Sequence, residues 1–271
     1  MEYFILNGVN SNTITGLIVK KLPPIVLPQW NIESITIDGR NGNLHIDNGN
    51  YEVTTRTIEC AITDLTKIND IKSFLDPIGT VTFSSEPDVR YNYVITNQVP
   101  FDKYLSVLRD FPVQMELSPI AESTTETTVT KTTSPATFVV AGTCEAKPIL
   151  EIKGTGEATI TLNGTSFVLD NCTSTAYIVD CDLQNVTKNS VNVNDEYVGD
   201  FPELIVGTNN LSWVGTITEI KIKYRAAYLW LKYSIKRLRV YILHFIHQLE
   251  PIQQIPMLTM MKHSNTMDLE Y

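Results

Sequence analysis

Trp30-Asn31-Ile32-Glu33-Ser34-Ile35-Thr36-Ile37 alternates large apolar with mostly polar residues, the period of a half-buried strand. Asp38-Gly39-Arg40-Asn41-Gly42-Asn43 follows, where two glycines and two asparagines offer the positive φ values of a tight reversal. Leu44-His45-Ile46 reads as a short strand and Asp47-Asn48-Gly49-Asn50 as a second turn. Residues 51–62, Tyr51-Glu52-Val53-Thr54-Thr55-Arg56-Thr57-Ile58-Glu59-Cys60-Ala61-Ile62, form a β-prone run without Pro or Gly. As one strand it would span about 40 Å, long for a small domain. A strand of that length predicts sheet core at one end and an edge or arm offered to a partner at the other. The expectation is assembly, not catalysis.

Upstream, residues 3–6 and 17–19 are short strands, and Pro23, Pro24 and Pro28 keep the approach to Trp30 extended. Downstream the period changes. Leu65, Ile68, Ile71, Phe74 and Leu75 fall on one helical face, with Thr63 or Asp64 as cap and Pro77 beyond the end. Residues 79–84, 90–99 and 104–117 read as strands, the last two pairing around Pro100-Phe101-Asp102. Residues 1–120 are therefore expected to form an α+β domain of antiparallel strands with one helix. Residues 121–134, with seven threonines, fit a linker or a polar edge strand and are taken as the domain boundary.

From 135 to 223 the chain is a series of short β-runs: 136–141, 148–153, 157–162, 165–170, 175–180, 191–193, 211–214 and 217–223. Asn163-Gly164 between two alternating segments is the best hairpin signal in the chain. The expectation is a mainly β protein whose second half is a β-sandwich of jelly-roll type. From Tyr224 onward Tyr224, Tyr228, Leu231, Ile235, Leu238, Ile242, Phe245 and Leu249 form a heptad stripe. Residues 224–271 are expected to be a basic helical extension, either an added helix that packs on a neighbour or a read-through or altered-frame extension, with membrane-surface binding as a third option.

The 271 residues carry a net charge of −9 and 43% apolar residues, which suits a folded chain and argues against a nucleic-acid-binding protein. The charge is uneven: residues 224–271 hold six basic against three acidic side chains, and the rest holds fifteen against twenty-seven. The N-terminus has no basic leader, and no run reaches the roughly 20 apolar residues of a membrane span. Cys60, Cys144, Cys172 and Cys181 contain no CxxC pair. A Cys172–Cys181 disulfide is conceivable, while a reducing compartment favours free buried thiols. No zinc-ligand spacing, phosphate loop, GxSxG or HExxH occurs, so neither cofactor nor metal is expected. Asp180, Asp182, Asp195, Glu196, Asp200 and Glu203 are read as solvated loop acids rather than a glycosidase pair. His45 stands alone in the body of the chain; His244, His247 and His263 lie in the extension.

Several motifs together resemble the distal tail protein family of siphophages, the phages with long non-contractile tails. They are Phe4-Ile5-Leu6-Asn7-Gly8, the Gly39-Arg40-Asn41-Gly42 turn, the helix ending Phe74-Leu75, Phe83-Ser84-Ser85-Glu86-Pro87-Asp88 with Tyr91, and Phe111-Pro112-Val113. In the second half they are Gly199-Asp200-Phe201-Pro202-Glu203-Leu204 with Gly207 and Asn209-Asn210, and the closing strand 217–223. Their order matches over about residues 1–229 and leaves the extension uncovered. The resemblance implies a structural virion or prophage protein and not an enzyme. Its N-terminal domains would self-assemble into a hexameric ring, and a galectin-like sandwich would project outward. The ring would join tail tube and tape-measure end to the tail-tip or receptor-binding apparatus in host attachment. Its place would be the virion tail tip, after assembly in the host cytoplasm.

The rival reading is a two-domain carbohydrate-binding protein acting through the sandwich, with Tyr177, Tyr197 and Trp213, beside Phe201, as stacking platform. The bland alternative for these rings is sandwich core.

Overall fold

The computed structural model describes residues 2–39, 41–99 and 109–229. It is mainly β, with antiparallel sheets and, among the described residues, one α-helix. The strands in chain order are β1 (Phe4–Leu6), β2 (Val9–Asn10), β3 (Leu17–Lys21), β4 (Trp30–Ile35), β5 (Leu44–Tyr51) and β6 (Thr54–Ile62). After α1 (Ile68–Phe74) come β7 (Ile78–Phe83), β8 (Val89–Ile95), β9 (Arg109–Leu117) and β10 (Ile120–Ser123). The second half holds β11 (Thr127–Lys131), β12 (Ala136–Val140), β13 (Ile149–Leu162), β14 (Thr165–Cys172) and β15 (Tyr177–Asp180). It continues with β16 (Asn185–Lys188), β17 (Val191–Asn192), β18 (Tyr197–Gly199), β19 (Gly207–Tyr224) and β20 (Ala227–Leu229).

The first sheet runs β2-β1-β7-β8-β9-β6-β3, with β10 added along β8 and β20 along β10. Alternation builds its core directly. Val89, Tyr91 and Tyr93 of β8, Ile58 and Cys60 of β6, and Phe111, Val113, Met115 and Leu117 of β9 point inward. Ile71 and Phe74 of α1 close over them. Asp64 caps the preceding 3-10 turn, its Oδ1 accepting from the Thr66 N–H at 2.9 Å, as expected. Leu65 departs from the predicted stripe and stays exposed, because that first turn is 3-10 and shifts the face.

The run 51–62 is not one long strand, and here the sequence reading needs correction. Glu52 N–H donates to the Gln29 carbonyl at 2.8 Å, closing the β4–β5 hairpin. Pairing with β9 then begins at Thr54 opposite Leu117. The chain changes partners at residues 52–53, so the run is two strands serving different sheets. Asp47-Asn48-Gly49-Asn50 is not a turn either. It lies inside β5 as an irregularity, with Gly49 at φ 71° and its N–H held by Asp47 Oδ1 at 2.8 Å.

The second sheet folds over on itself. β13 and β19 are long strands that pair with each other throughout, interrupted by bulges near Gly154, Gly156 and Gly215. Their outer ends pair with β11, β15 and, through β15, β16 and β17; the other ends pair with β12, β14 and, through β14, β18. Two layers therefore enclose one core, with Leu150, Ile152, Ile160, Phe167, Tyr177, Ile220 and Ile222 inside. A Cβ on Gly154 would sit 2.4 Å from the Thr216 carbonyl oxygen, and Gly215 takes φ +106°, so the corner requires glycine. The sequence reading split each long strand into two at this corner and missed β16 and β18. Asn163 (φ 54°) and Gly164 (φ 91°) make the expected two-residue reversal.

Tyr224 ends β19 rather than starting a helix, and residues 227–229 form β20 along β10. The expected extension therefore opens in β structure as far as Leu229, because Ala227 and Tyr228 gain partners in the first sheet that a helix would forgo. Its remainder, the pairing turn at 100–102 and Arg40 lie outside the described residues.

Candidate assembly surface

β4 and β5 form a two-stranded sheet of their own, and neither strand contributes a residue to either core. Residues opposite each other in an antiparallel pair share a face. On one face Ser34 Oγ meets His45 Nδ1 at 2.9 Å, Thr36 Oγ1 donates to Asn43 Oδ1 at 3.4 Å, and Trp30 Nε1 donates to Asp47 Oδ1 at 2.6 Å. On the other face Ile35 lies opposite Leu44, and Glu33 opposite Ile46. The alternation puts Ile37 there too. Most of the hairpin's aliphatic side chains share that face with Glu33. Ile35, Ile37, Leu44 and Ile46 are 37–41% exposed, while Ile32, opposite Asp47 on the hydrogen-bonded face, is 49% exposed. A lone two-stranded hairpin of this kind is marginal in water.

Its root is anchored. Trp30 packs edge-on against Tyr51 at 4.4 Å between centroids. Two residues into β6, Arg56 is buried and donates from Nη1 to Glu86 Oε2 at 2.9 Å. Its guanidinium lies 4.8 Å from the Tyr91 ring centroid and 5.7 Å from that of Phe83. Tyr91 donates its hydroxyl to Glu86 Oε1 at 3.0 Å.

A second uncovered apolar surface lies on the outer face of the first sheet. Ile78 of β7 is directly opposite Val94 of β8, and Val53 joins them to line a groove of about 430 Å³. Val53, Ile78 and Val94 are 44–64% exposed. A larger groove, about 520 Å³, lies between β8, β10 and the second sheet, and its lining includes the ion pairs of Arg90 with Glu122 and Lys147 with Asp182.

The aromatic residues picked out for sugar stacking are not brought together on an open face. Tyr177 is fully buried, with Lys188 Nζ 4.4 Å from its ring centroid and its hydroxyl against the Glu196 carboxylate and the Asn171 carbonyl. Burial, then the hydrogen bond to Glu196, holds its phenol well above the ordinary range. Tyr197 is stacked between Phe167 (5.0 Å) and Phe201 (4.5 Å), so both of its ring faces are taken. Trp213 is half-buried against the second core. Of the acids, Asp180 caps its own loop by accepting from the Asp182 and Leu183 N–H groups. No cluster of three or more metal-ligating side chains occurs among the described residues. The four cysteines are free.

No family model and no curated protein sequence matches the chain. Among solved structures it is similar to the crystal structure of SPP1 Dit (gp 19.1) protein, described as a paradigm of the hub adsorption apparatus in phages that infect Gram-positive bacteria. The TM-score is 0.65 at 13% identity, over 84% of this chain and 100% of that one. The chain has a phage tail hub-like fold. At this identity the likeness is one of fold.

The sequence signalled the hairpin by its period but not its isolation from the rest of the fold. The Val53–Ile78–Val94 groove was missed. Its members sit on three separate segments, and only the pairing register unites them.

Proposed function

We propose that this chain is a structural phage tail protein, a distal tail hub that assembles with copies of itself into a ring. The observation that carries this reading is the fold likeness to SPP1 Dit over the whole of that chain. In this reading residues 1–120 supply the ring, six copies closing by heterologous contacts. Residues 135–223 form the galectin-like module that faces outward. The ring joins tail tube and tape-measure end to the tail-tip or receptor-binding proteins. It serves host attachment at the virion tail tip, and its mechanism is interface burial rather than bond chemistry. An acidic ring also suits a conduit for DNA, since like charge weakens non-specific phosphate binding.

Electron microscopy tests it. Gold-labelled antibody against the chain should decorate one end of the tail on phage particles encoding it. Purified chain, alone or with its tail-tube protein, should give rings with a central lumen. Label elsewhere on the particle, or none, overturns the reading.

A further inference from the structure

We propose that the Asn41-Gly42 step at the tip of the β4–β5 hairpin is a self-modification site, where the Asn41 side-chain amide is lost by attack of the Gly42 backbone nitrogen. An asparagine followed by glycine is open to this chemistry because glycine has no Cβ to shield its nitrogen. The chain holds four such steps, at Asn7, Asn41, Asn48 and Asn163. Reaction needs the side-chain carbon within reach of that nitrogen and free to turn toward it. Three of the four are held off. Asn7 Oδ1 accepts from the Thr80 N–H at 2.8 Å, and its Nδ2 donates to the Ile78 carbonyl at 3.4 Å. Asn163 is tied at three points, to Asn209 Oδ1, the Glu203 carbonyl and the Asn210 N–H. Asn48 Nδ2 donates to Asn31 Oδ1 at 3.2 Å. The Gly49 N–H, which would have to give up its proton, is held at 2.8 Å by the Asp47 carboxylate, whose charge opposes an amide anion. Asn41 differs on each count. It is exposed, the space beside Gly42 is open, and no hydrogen bond to another described residue restrains its side chain.

The step balances with water and hydroxide alone. The Gly42 nitrogen loses its proton to hydroxide and bonds to Asn41 Cγ; the Cγ–Nδ2 bond breaks, and Nδ2 takes a proton from water and leaves as ammonia. Water then opens the cyclic imide. Cleavage at Cγ leaves an aspartate in the ordinary linkage. Cleavage at the main-chain carbonyl leaves an isoaspartate, whose backbone runs through the side chain and is one atom longer. Either product puts a negative charge where the amide was neutral. The longer backbone falls in the reversal that sets β4 against β5, beside the contact of Thr36 Oγ1 with Asn43 Oδ1 at 3.4 Å. The tip therefore records the age of the chain, as charge and as a shifted turn. The inference rests on the hairpin itself and stands or falls independently of the hub reading.

The test incubates the full-length folded chain at mildly alkaline pH and follows all four steps by peptide mass mapping, with fragmentation to separate Asn41 from Asn48. Asn41 should gain about 1 Da, and do so at least roughly tenfold faster than Asn7, Asn48 or Asn163. It should pass through an imide lighter than the starting chain by about 17 Da, and the rate should climb with hydroxide concentration. In urea the four rates should converge, because the hydrogen bonds that hold the other three are gone. Asn41→Gln, whose longer side chain would have to close a larger ring, should remove the mass gain at position 41, with circular dichroism checking that the variant is folded. The proposal is overturned if any of the other three steps keeps pace with Asn41 in the folded chain, if the difference survives unfolding, or if the gain at position 41 persists in Asn41→Gln.

Discussion

Arg56 and Glu86, thirty residues apart, form an ion pair inside the first core, N to O 2.9 Å, with side chains 2% and 4% exposed. The arginine Nε has no hydrogen-bond partner, so the pair is held by one charge-assisted bond, the Tyr91 hydroxyl on the far carboxylate oxygen, and two aromatic rings. A buried pair contributes little net stability when whole but costs a great deal when half-removed.

Glu86→Gln should therefore destabilise the chain by about 3–5 kcal/mol, measured as a lower urea midpoint at unchanged slope. Arg56→Met combined with Glu86→Gln should lose less than Glu86→Gln alone, because no unpaired charge then remains inside. Equal losses would mean the guanidinium reaches water when its partner goes.

The hairpin should behave oppositely. Ile35→Ser and Ile46→Ser remove aliphatic groups that touch neither core, so monomer stability should move by no more than about 0.5 kcal/mol. A drop in monomer melting temperature of several degrees would show that the hairpin already packs on its own chain.

Asn209 is fully buried in the second sheet. Its Oδ1 accepts from the Ile205 N–H at 3.0 Å and from Asn163 Nδ2 at 2.7 Å, and its own Nδ2 donates to the Ile205 and Gly207 carbonyls. Asn209→Leu strands these groups and should cost about 2–4 kcal/mol. Asn163→Ala should also destabilise, since it loses the same contact and leaves a non-glycine, non-asparagine residue at positive φ. Denaturant titration of both variants checks the order, Asn209→Leu the worse.

Burial pushes the Cys60 and Cys181 thiols from 9.0 up to about 12, and burial followed by the Asp76 charge moves the Tyr93 phenol from 10.0 to about 12. The folded state thus keeps protons that the unfolded chain releases. The corresponding stability is fully present below about pH 9 and is lost as pH rises from there through about 12. Urea midpoints should be flat in this respect up to pH 9 and fall beyond it. Cys60 and Cys181 should resist a thiol reagent at pH 8 until the chain is unfolded.

Where local chemistry and tertiary structure agree, the fold was legible. The Asp64 cap, the Asn163-Gly164 reversal and the alternation of β4, β8 and β9 each need only neighbours in sequence. The misses share one cause, competition from distant partners. Residues 51–62 are uniformly β-prone, so nothing local marks the point where the chain leaves Gln29 for Leu117. The periodic stripe from Tyr224 is overruled at Ala227 and Tyr228 by pairing with β10. β16 and β18 are only four and three residues long, too short to carry a period, and they exist because β15 and β14 present them an edge. For Tyr177 and Tyr197, an aromatic in an alternating run has the same signature whether its ring meets solvent or core.

The return of β20 to the first sheet has a mechanical consequence. The second sheet enters through residues 124–126, between β10 and β11, and leaves through residues 225–226, between β19 and β20; β10 and β20 lie side by side. The Arg225 guanidinium ties the two crossings by donating to the Ser123 and Thr124 carbonyls. A lobe hung on a single thread swivels freely. One mounted on two short adjacent posts resists twisting, and a pull on its far edge is delivered to its base as torque.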